Sequence, residues 1–304
     1  MNTPDNTVVM IDGRIVPPEA AVISVFDRGF LYGDSVYEVM RTYEGVAFAL
    51  REHIDRLYRS ARRVHIDIPI PIEQMTSEAL EAVAASSIKS SAVRIHVSRG
   101  IGPLGLDTAM ARDPSRVIIV APLHPPSDDD YRHGIGVALI RTERTVDNTE
   151  AAGAKVANYL VSLLALREAQ AVGAKEAIIV DGRGRVLEGA TSNVFVVAQG
   201  VLLTPPDTEG ILSGITRSYL LRAAESIRLP VRVTTLTRGD LLTADEVFIS
   251  STSREVLAVT RVDDRVVGTG EVGPISRAIH RAFRKLGGLP TTLPGEQEDS
   301  LEGG

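Results

Sequence analysis

Lys155 stands four residues before Tyr159 in the run Gly-Ala-Lys-Val-Ala-Asn-Tyr-Leu (153–160), where the chain turns into a strongly apolar helix predicted over 159–172. A lysine whose stem is packed and whose head is desolvated loses affinity for its proton. It then becomes a usable amine, able to condense with a carbonyl group. The chain has only four lysines, Lys89, Lys155, Lys175 and Lys285, although arginine is abundant. The other three lie in polar or charged settings. A single lysine reads as readily as a solvated surface charge, so its companions decide.

An amine of this kind suits pyridoxal phosphate, a cofactor that makes three further demands: an anion cradle, a carboxylate against the pyridine nitrogen and a donor to the ring oxygen. Gly214-Ile215-Thr216 opens a predicted helix, whose first backbone N–H groups form a natural phosphate site. Ser250-Ser251-Thr252-Ser253 follows a predicted strand and offers hydroxyls and amides. Arg56, on a helix predicted over 52–66, would complete the cradle. Glu188 ends a predicted strand among small and polar residues, where it could hold the pyridinium proton. Taken singly these are a helix start, a loop, a solvated arginine and a strand-end acid.

The elements that must position these groups are legible from periodicity. A hairpin is predicted over 8–16 around Asp12-Gly13, and turn-rich 27–34 leads into a strand over 35–43. Alternation sets Tyr37, Val39 and Arg41 on one face of that strand, with Glu38 and Met40 on the other. Such a face is either a lined pocket or a sheet edge in water. Helices are predicted over 52–66 and 72–85. The strand at 91–99 sets Val93, Ile95 and Val97 against Arg94, His96 and Ser98, and a Gly-rich loop (100–107) precedes a strand at 117–121. Residues 121–130 hold three prolines and three aspartates and read as a linker. Further strands are predicted at 136–142, 176–180, 185–188, 193–197, 201–204, 231–235, 246–250 and 255–262, with helices at 214–227 and 274–286. The domain expectation is therefore 1–120, a linker at 121–130, a larger domain at 131–286 and a disordered polar tail at 287–304.

With 304 residues, 44% hydrophobic and 24% charged, the chain has the composition of a globular protein. A net charge of −6 without basic blocks argues against nucleic acid as a partner. Cysteine is absent, which excludes thiolate chemistry, and no metal site is expected. No secretory signal or membrane-length apolar run is visible, so a cytoplasmic enzyme is the expectation.

Asp27-Arg28-Gly29…Tyr32-Gly33-Asp34, His53-Ile54-Asp55-Arg56-Leu57, Lys155…Asn158-Tyr159-Leu160, Glu188-Gly189…Ser192-Asn193-Val194-Phe195 and Gly214-Ile215-Thr216-Arg217 occur in this order. Together they resemble the class IV, fold-type IV aminotransferases, over nearly 8–286. The resemblance implies an α+β, two-domain protein, with a smaller N-terminal α/β domain and a larger C-terminal one built on a barrel-like sheet. It implies a Lys155 that bears pyridoxal 5'-phosphate, Tyr159 on the ring oxygen and Glu188 on the ring nitrogen. Arg56, Ile215, Thr216, Ser251 and Thr252 would hold the phosphate. Tyr32, Tyr37, Val39, Arg41 and Ser253 would line the substrate pocket, with Arg28, Arg41 and Arg94 as candidates for a carboxylate clamp. The loop 102–106 would reach a partner subunit in a homodimer or larger assembly.

Substrates of that family are amino acids and 2-oxo acids. Tyr32, Arg41 and Gly102-Pro-Leu-Gly-Leu106 resemble branched-chain L-amino-acid enzymes working with 2-oxoglutarate. Tyr37-Glu38-Val39 and Ser251-Thr252-Ser253 resemble D-amino-acid aminotransferases, but the arginine and histidine those enzymes carry after an Arg-Gly pair do not follow Arg99-Gly100. An (R)-amine transaminase and an aminodeoxychorismate lyase would share the same motifs.

Overall fold

Hydrophobic alternation and two long amphipathic helices organise the first half of the computed structural model, which describes residues 6–142 and 149–296. Strands β1 (Val8–Ile11), β2 (Arg14–Val16), β3 (Ser35–Tyr43), β4 (Val46–Ala47), β5 (Ser91–Ser98) and β6 (Arg116–Pro122) form one sheet in the order β2-β1-β6-β5-β3-β4. The pairing is antiparallel throughout, with Tyr37 opposite His96 and Val39 opposite Arg94. Helices α2 (Leu50–Arg63) and α3 (Ile72–Ser86) bury Ile54, Leu57, Met75 and Ala79 in one core with Met40, Val93, Ile95 and Ile118. The turn-rich 27–34 contains a short helix, α1 (Arg28–Tyr32). Asp27 caps it by accepting the Gly29 N–H at 2.7 Å.

The second compact unit is organised by a ten-stranded mixed sheet. Its strands are β7 (Ile135–Arg141), β8 (Glu176–Val180), β9 (Arg185–Gly189), β10 (Asn193–Ala198), β11 (Val201–Thr204), β12 (Val231–Val233), β13 (Leu236–Thr237), β14 (Glu246–Ser251), β15 (Glu255–Val262) and β16 (Arg265–Val266). The order is β12-β11-β10-β14-β15-β7-β8-β9-β13, with β16 beside β15. Its helices are α4 (Asp128–His133), α5 (Leu160–Ala171), which begins at the last residue of the first unit, α6 (Ile215–Ser226), α7 (Arg238–Leu242) and α8 (Pro274–Leu286). Phe195 and Phe248, both fully buried, stack across β10 and β14 with centroids 4.9 Å apart.

Three expectations change. Compact units do not follow chain order: the first comprises 1–124 and 146–160, the second 125–145 and 161–304. The unit changes inside the expected linker, yet the chain returns to the first unit before Leu160, where Lys155 and Ala157 are bonded by their backbone to β3. The aspartates of that linker form the first turn of α4, where Ser127 and Asp130 make a reciprocal capping box. Part of the expected disordered tail is anchored: Leu293 is 6% exposed, Arg284 holds the Pro290 carbonyl and Arg281 pairs with Glu296. Residues 297–304 lie outside the described residues. The apolar helix expected over 159–172 is α5, which buries only Ala165 and Ala169 and leaves Leu160, Leu163 and Leu164 more than half exposed.

Candidate active site

The Lys155 segment is held as an added strand along β3. Val156 bridges Val36, the Tyr37 N–H donates to the Lys155 carbonyl at 3.1 Å, and the Ala157 N–H donates to Ser35 at 3.0 Å. The Lys155 N–H in turn donates to the buried Ser60 hydroxyl of α2 at 3.0 Å. With its main chain fixed from a strand and a helix, Lys155 projects its amine onto Tyr37. Nζ lies 3.3 Å from the Tyr37 hydroxyl and 4.4 Å from the ring centroid. Tyr159 meets Tyr37 edge-on at 5.4 Å. Burial first, then the neighbouring Tyr159, push the Tyr37 hydroxyl far above the ordinary tyrosine range, so it stays protonated. The Arg94 guanidinium also lies over the Tyr37 ring, at 4.1 Å.

Beneath this aromatic pair sits a cluster that periodicity did not reveal. Glu38 is fully buried and accepts both Arg56 Nε at 2.6 Å and Arg56 Nη2 at 2.8 Å, while His53 Nδ1 bonds its Oε2 at 2.8 Å. Burial pushes the Glu38 carboxyl up, but Arg56 and then His53 outweigh it and hold it at about 2. Burial lowers the His53 imidazole, with Arg56 and Lys155 adding to the fall against the bond from Glu38. A neutral ring must then donate from Nδ1, because a carboxylate only accepts. His53 Nε2 is buried with no hydrogen-bond partner. His53 and Arg56, one turn apart on α2, were the available signal for such a pair.

A depressed Glu38 makes folding pH-dependent in a defined direction. Its contribution should be full above about pH 4.5, its ordinary value, and lost as pH falls through about 2. Urea unfolding between pH 6 and pH 3 should therefore show a loss of stability that Glu38→Gln flattens. An identical pH slope in the variant would contradict the pairing.

Among the expected substrate residues, Arg28 opens α1. It is 2% exposed, donates from Nε to Asp34 at 2.9 Å and from Nη1 to the Gly105 carbonyl at 2.9 Å. Arg99 grips the same Asp34 at 2.7 and 2.9 Å. Arg28 thus ties α1 to Asp34 and to the loop at Gly105. Tyr32 has a similar contact, its hydroxyl accepting the Gly105 N–H at 2.9 Å. Arg41 stacks over Tyr43 at 4.0 Å and Val39 is half-buried on the same strand.

The second unit carries the other expected groups. Glu188, at 9% exposure, accepts the Leu212 N–H at 3.1 Å and Asn193 Nδ2 at 3.5 Å; the same Nδ2 donates to the Leu212 carbonyl at 2.9 Å. That loop leads to Gly214, which caps α6 without a side-chain bond and precedes buried Ile215 and Thr216. A Cβ on Gly214 would lie 2.0 Å from Asn193 Oδ1, so this close approach requires glycine. The first turn of α6 carries no acid. An uncapped helix start with unopposed N–H groups suits a phosphate, and a buried carboxylate nearby in the same unit suits a ring nitrogen. Ser251 ends β14 and its hydroxyl lies 3.4 Å from that of Ser253, with Thr252 between them in the turn. The buried Ser250 hydroxyl has no hydrogen-bond partner. The residues present therefore fit pyridoxal phosphate.

Comparison with known proteins agrees. The amino-transferase class IV family profile matches residues 35–262. The chain is 39% identical to a putative branched-chain-amino-acid aminotransferase of Methanocaldococcus jannaschii, over 91% of this chain and 96% of that protein. It is 34% identical to the D-alanine aminotransferase of Bacillus licheniformis, over 91% and 95%. The branched-chain amino acid aminotransferase of Escherichia coli superposes with a TM-score of 0.87 at 32% identity, covering 97% of each chain. A second branched-chain enzyme, solved with pyridoxamine 5'-phosphate, superposes equally well at 31% identity. The expected fold-type IV α+β architecture is thereby met, and no described helix is long and apolar enough to cross a membrane. The chain belongs to the class IV aminotransferases and is a pyridoxal-phosphate-dependent transaminase.

Proposed function

We propose that this transaminase moves an amino group from branched-chain L-amino acids to 2-oxoglutarate, with Lys155 as its catalytic residue. The observation that carries the reading is the Tyr37 ring, which holds the Lys155 amine at 4.4 Å and the Arg94 guanidinium at 4.1 Å from its centroid. An amine and a fixed cation on one aromatic platform suit a substrate that reacts at one carbon and is oriented by a carboxylate. Arg94 would serve as the carboxylate clamp, with Arg28 and Arg41 as the other candidates.

Bound pyridoxal phosphate supplies a carbonyl for the amino group and a ring that acts as an electron sink. Lys155 Nζ would carry the proton between the substrate carbon and the cofactor. Tyr37, held protonated, offers that amine a neutral neighbour. By family resemblance, Glu188 would keep a proton at the ring nitrogen, Tyr159 would bond the ring oxygen, and Arg56, Ile215, Thr216, Ser251 and Thr252 would hold the phosphate. Tyr32, Val39 and Ser253 shape the substrate pocket. Exposed Phe30, Leu104 and Leu106 in the first unit, and Leu163 and Leu164 in the second, support a homodimer or larger assembly that would cover them. Light scattering at the monomer mass would contradict it.

A second reading stays open because relatives named D-alanine aminotransferase match at 34% identity, and Tyr37-Glu38-Val39 resembles that group. Bleaching of the yellow protein by paired L- and D-amino acids, with (R)-1-phenylethylamine as a third arm, separates the readings. L-leucine, L-valine and L-isoleucine should bleach it and 2-oxoglutarate should restore the colour. Faster bleaching by D-alanine would replace the branched-chain assignment.

A further inference from the structure

We propose that Glu176 is a positioning residue, a buried anion that ties the loop after Glu188 to the Ser251–Arg254 turn so that both parts of the cofactor grip are set together. The inference rests on reading Ser251 and Thr252 as phosphate ligands. Glu176 opens β8 and is completely buried. Its Oε2 accepts the Thr191 hydroxyl at 2.8 Å and the Ser192 hydroxyl at 3.4 Å, and pairs with Arg254 Nη1 at 3.0 Å. Arg254 Nη1 also donates to the Thr191 hydroxyl at 2.7 Å, closing a triangle between strand, loop and turn. Glu176 Oε1 accepts the Ala177 N–H at 3.1 Å.

Both tethered segments are otherwise set by their own geometry. In the loop, the Gly189 N–H donates to the Ser192 carbonyl at 2.7 Å. In the turn, the Arg254 N–H donates to Ser251 at 3.2 Å, and the Arg254 carbonyl accepts the Tyr131 hydroxyl at 2.9 Å. Glu255 follows with φ +57°, a conformation a glutamate keeps only when its surroundings over-determine it. Arg284, at 2.8 and 2.9 Å, and His280, at 2.8 Å, hold its carboxylate. A buried ion pair is a poor way to gain stability compared with apolar packing. Here it joins two segments that differ in role, which apolar packing would leave free to slide.

The test is the preference of the protein for pyridoxal phosphate over pyridoxal, which isolates the phosphate grip. In Glu176→Gln this affinity ratio should fall roughly tenfold, the worth of one charge-assisted hydrogen bond's orientation. Arg254→Gln should give the same fall, and the double variant no further one. Thr191→Val, a smaller change, should give a partial fall should Glu176→Gln not fold. Glu246→Gln is the control: Glu246 is also buried, but it accepts the Ile275 and Ser276 N–H groups at 2.8 and 2.7 Å and touches neither loop nor turn. It should lower the melting temperature and leave the ratio unchanged. An unchanged ratio in Glu176→Gln or Thr191→Val, or an equal fall in Glu246→Gln, would overturn the positioning role. A wild-type protein without preference for the phosphorylated form would instead overturn the phosphate assignment beneath it.

Discussion

Lys155→Ala is expected to reduce kcat by at least roughly three orders of magnitude, because both the amine that bears the aldehyde and the base that moves the proton are lost. The fold should survive. The Lys155 N–H and C=O bonds to Ser60 and Tyr37 are main-chain contacts that alanine keeps. Nζ itself contacts the rim of the Tyr37 ring rather than a buried anion, so its removal leaves no orphaned charge. Circular dichroism and the apo melting temperature should therefore match the wild type within a few degrees. Turnover near the wild-type rate would remove Lys155 from the chemistry.

Arg56→Ala should behave in the opposite way, failing in the fold as well as in the cofactor. The guanidinium neutralises Glu38, which has no access to water. Breaking a buried pair from one side costs about 3–5 kcal/mol, because the remaining charge has no compensation. Urea unfolding of the apo variant should show that loss before any cofactor is added. Glu38→Met combined with Arg56→Met should recover most of it while still losing grip on pyridoxal phosphate. An apo Arg56→Ala protein as stable as the wild type would show that the Glu38 pair carries no structural weight.

Much of this arrangement was legible in the chain because its signals are local. The alternation of Ser35–Tyr43 sets Tyr37, Val39 and Arg41 together, and β3 runs from Ser35 to Tyr43 as read. The Glu188 strand end and the Gly214 helix start likewise rest on neighbours a few residues away. Glu38 was opaque because its meaning lies 15 and 18 residues downstream, on a helix that folds back over its strand. Until that partner is known, a glutamate opposite Tyr37 reads as a polar face. The setting of Arg28 was hidden for the same reason: its partner Asp34 is close in sequence, but the Gly105 carbonyl that completes its environment is 77 residues away.

The aspartates at 128–130 and the polar stretch at 287–296 show a different limit. Composition reports mean preference, whereas a capping box at Ser127 and a packed Leu293 are decided by single contacts. In α5, hydrophobicity predicted a helix correctly but carried no information about what its leucines face.

Borohydride reduction of the yellow protein, followed by peptide mass mapping, tests the central claim most directly. The account predicts a pyridoxyl-phosphate mass on the peptide containing Lys155 and on none containing Lys89, Lys175 or Lys285. A label on one of those three, or no label on Lys155, would contradict it.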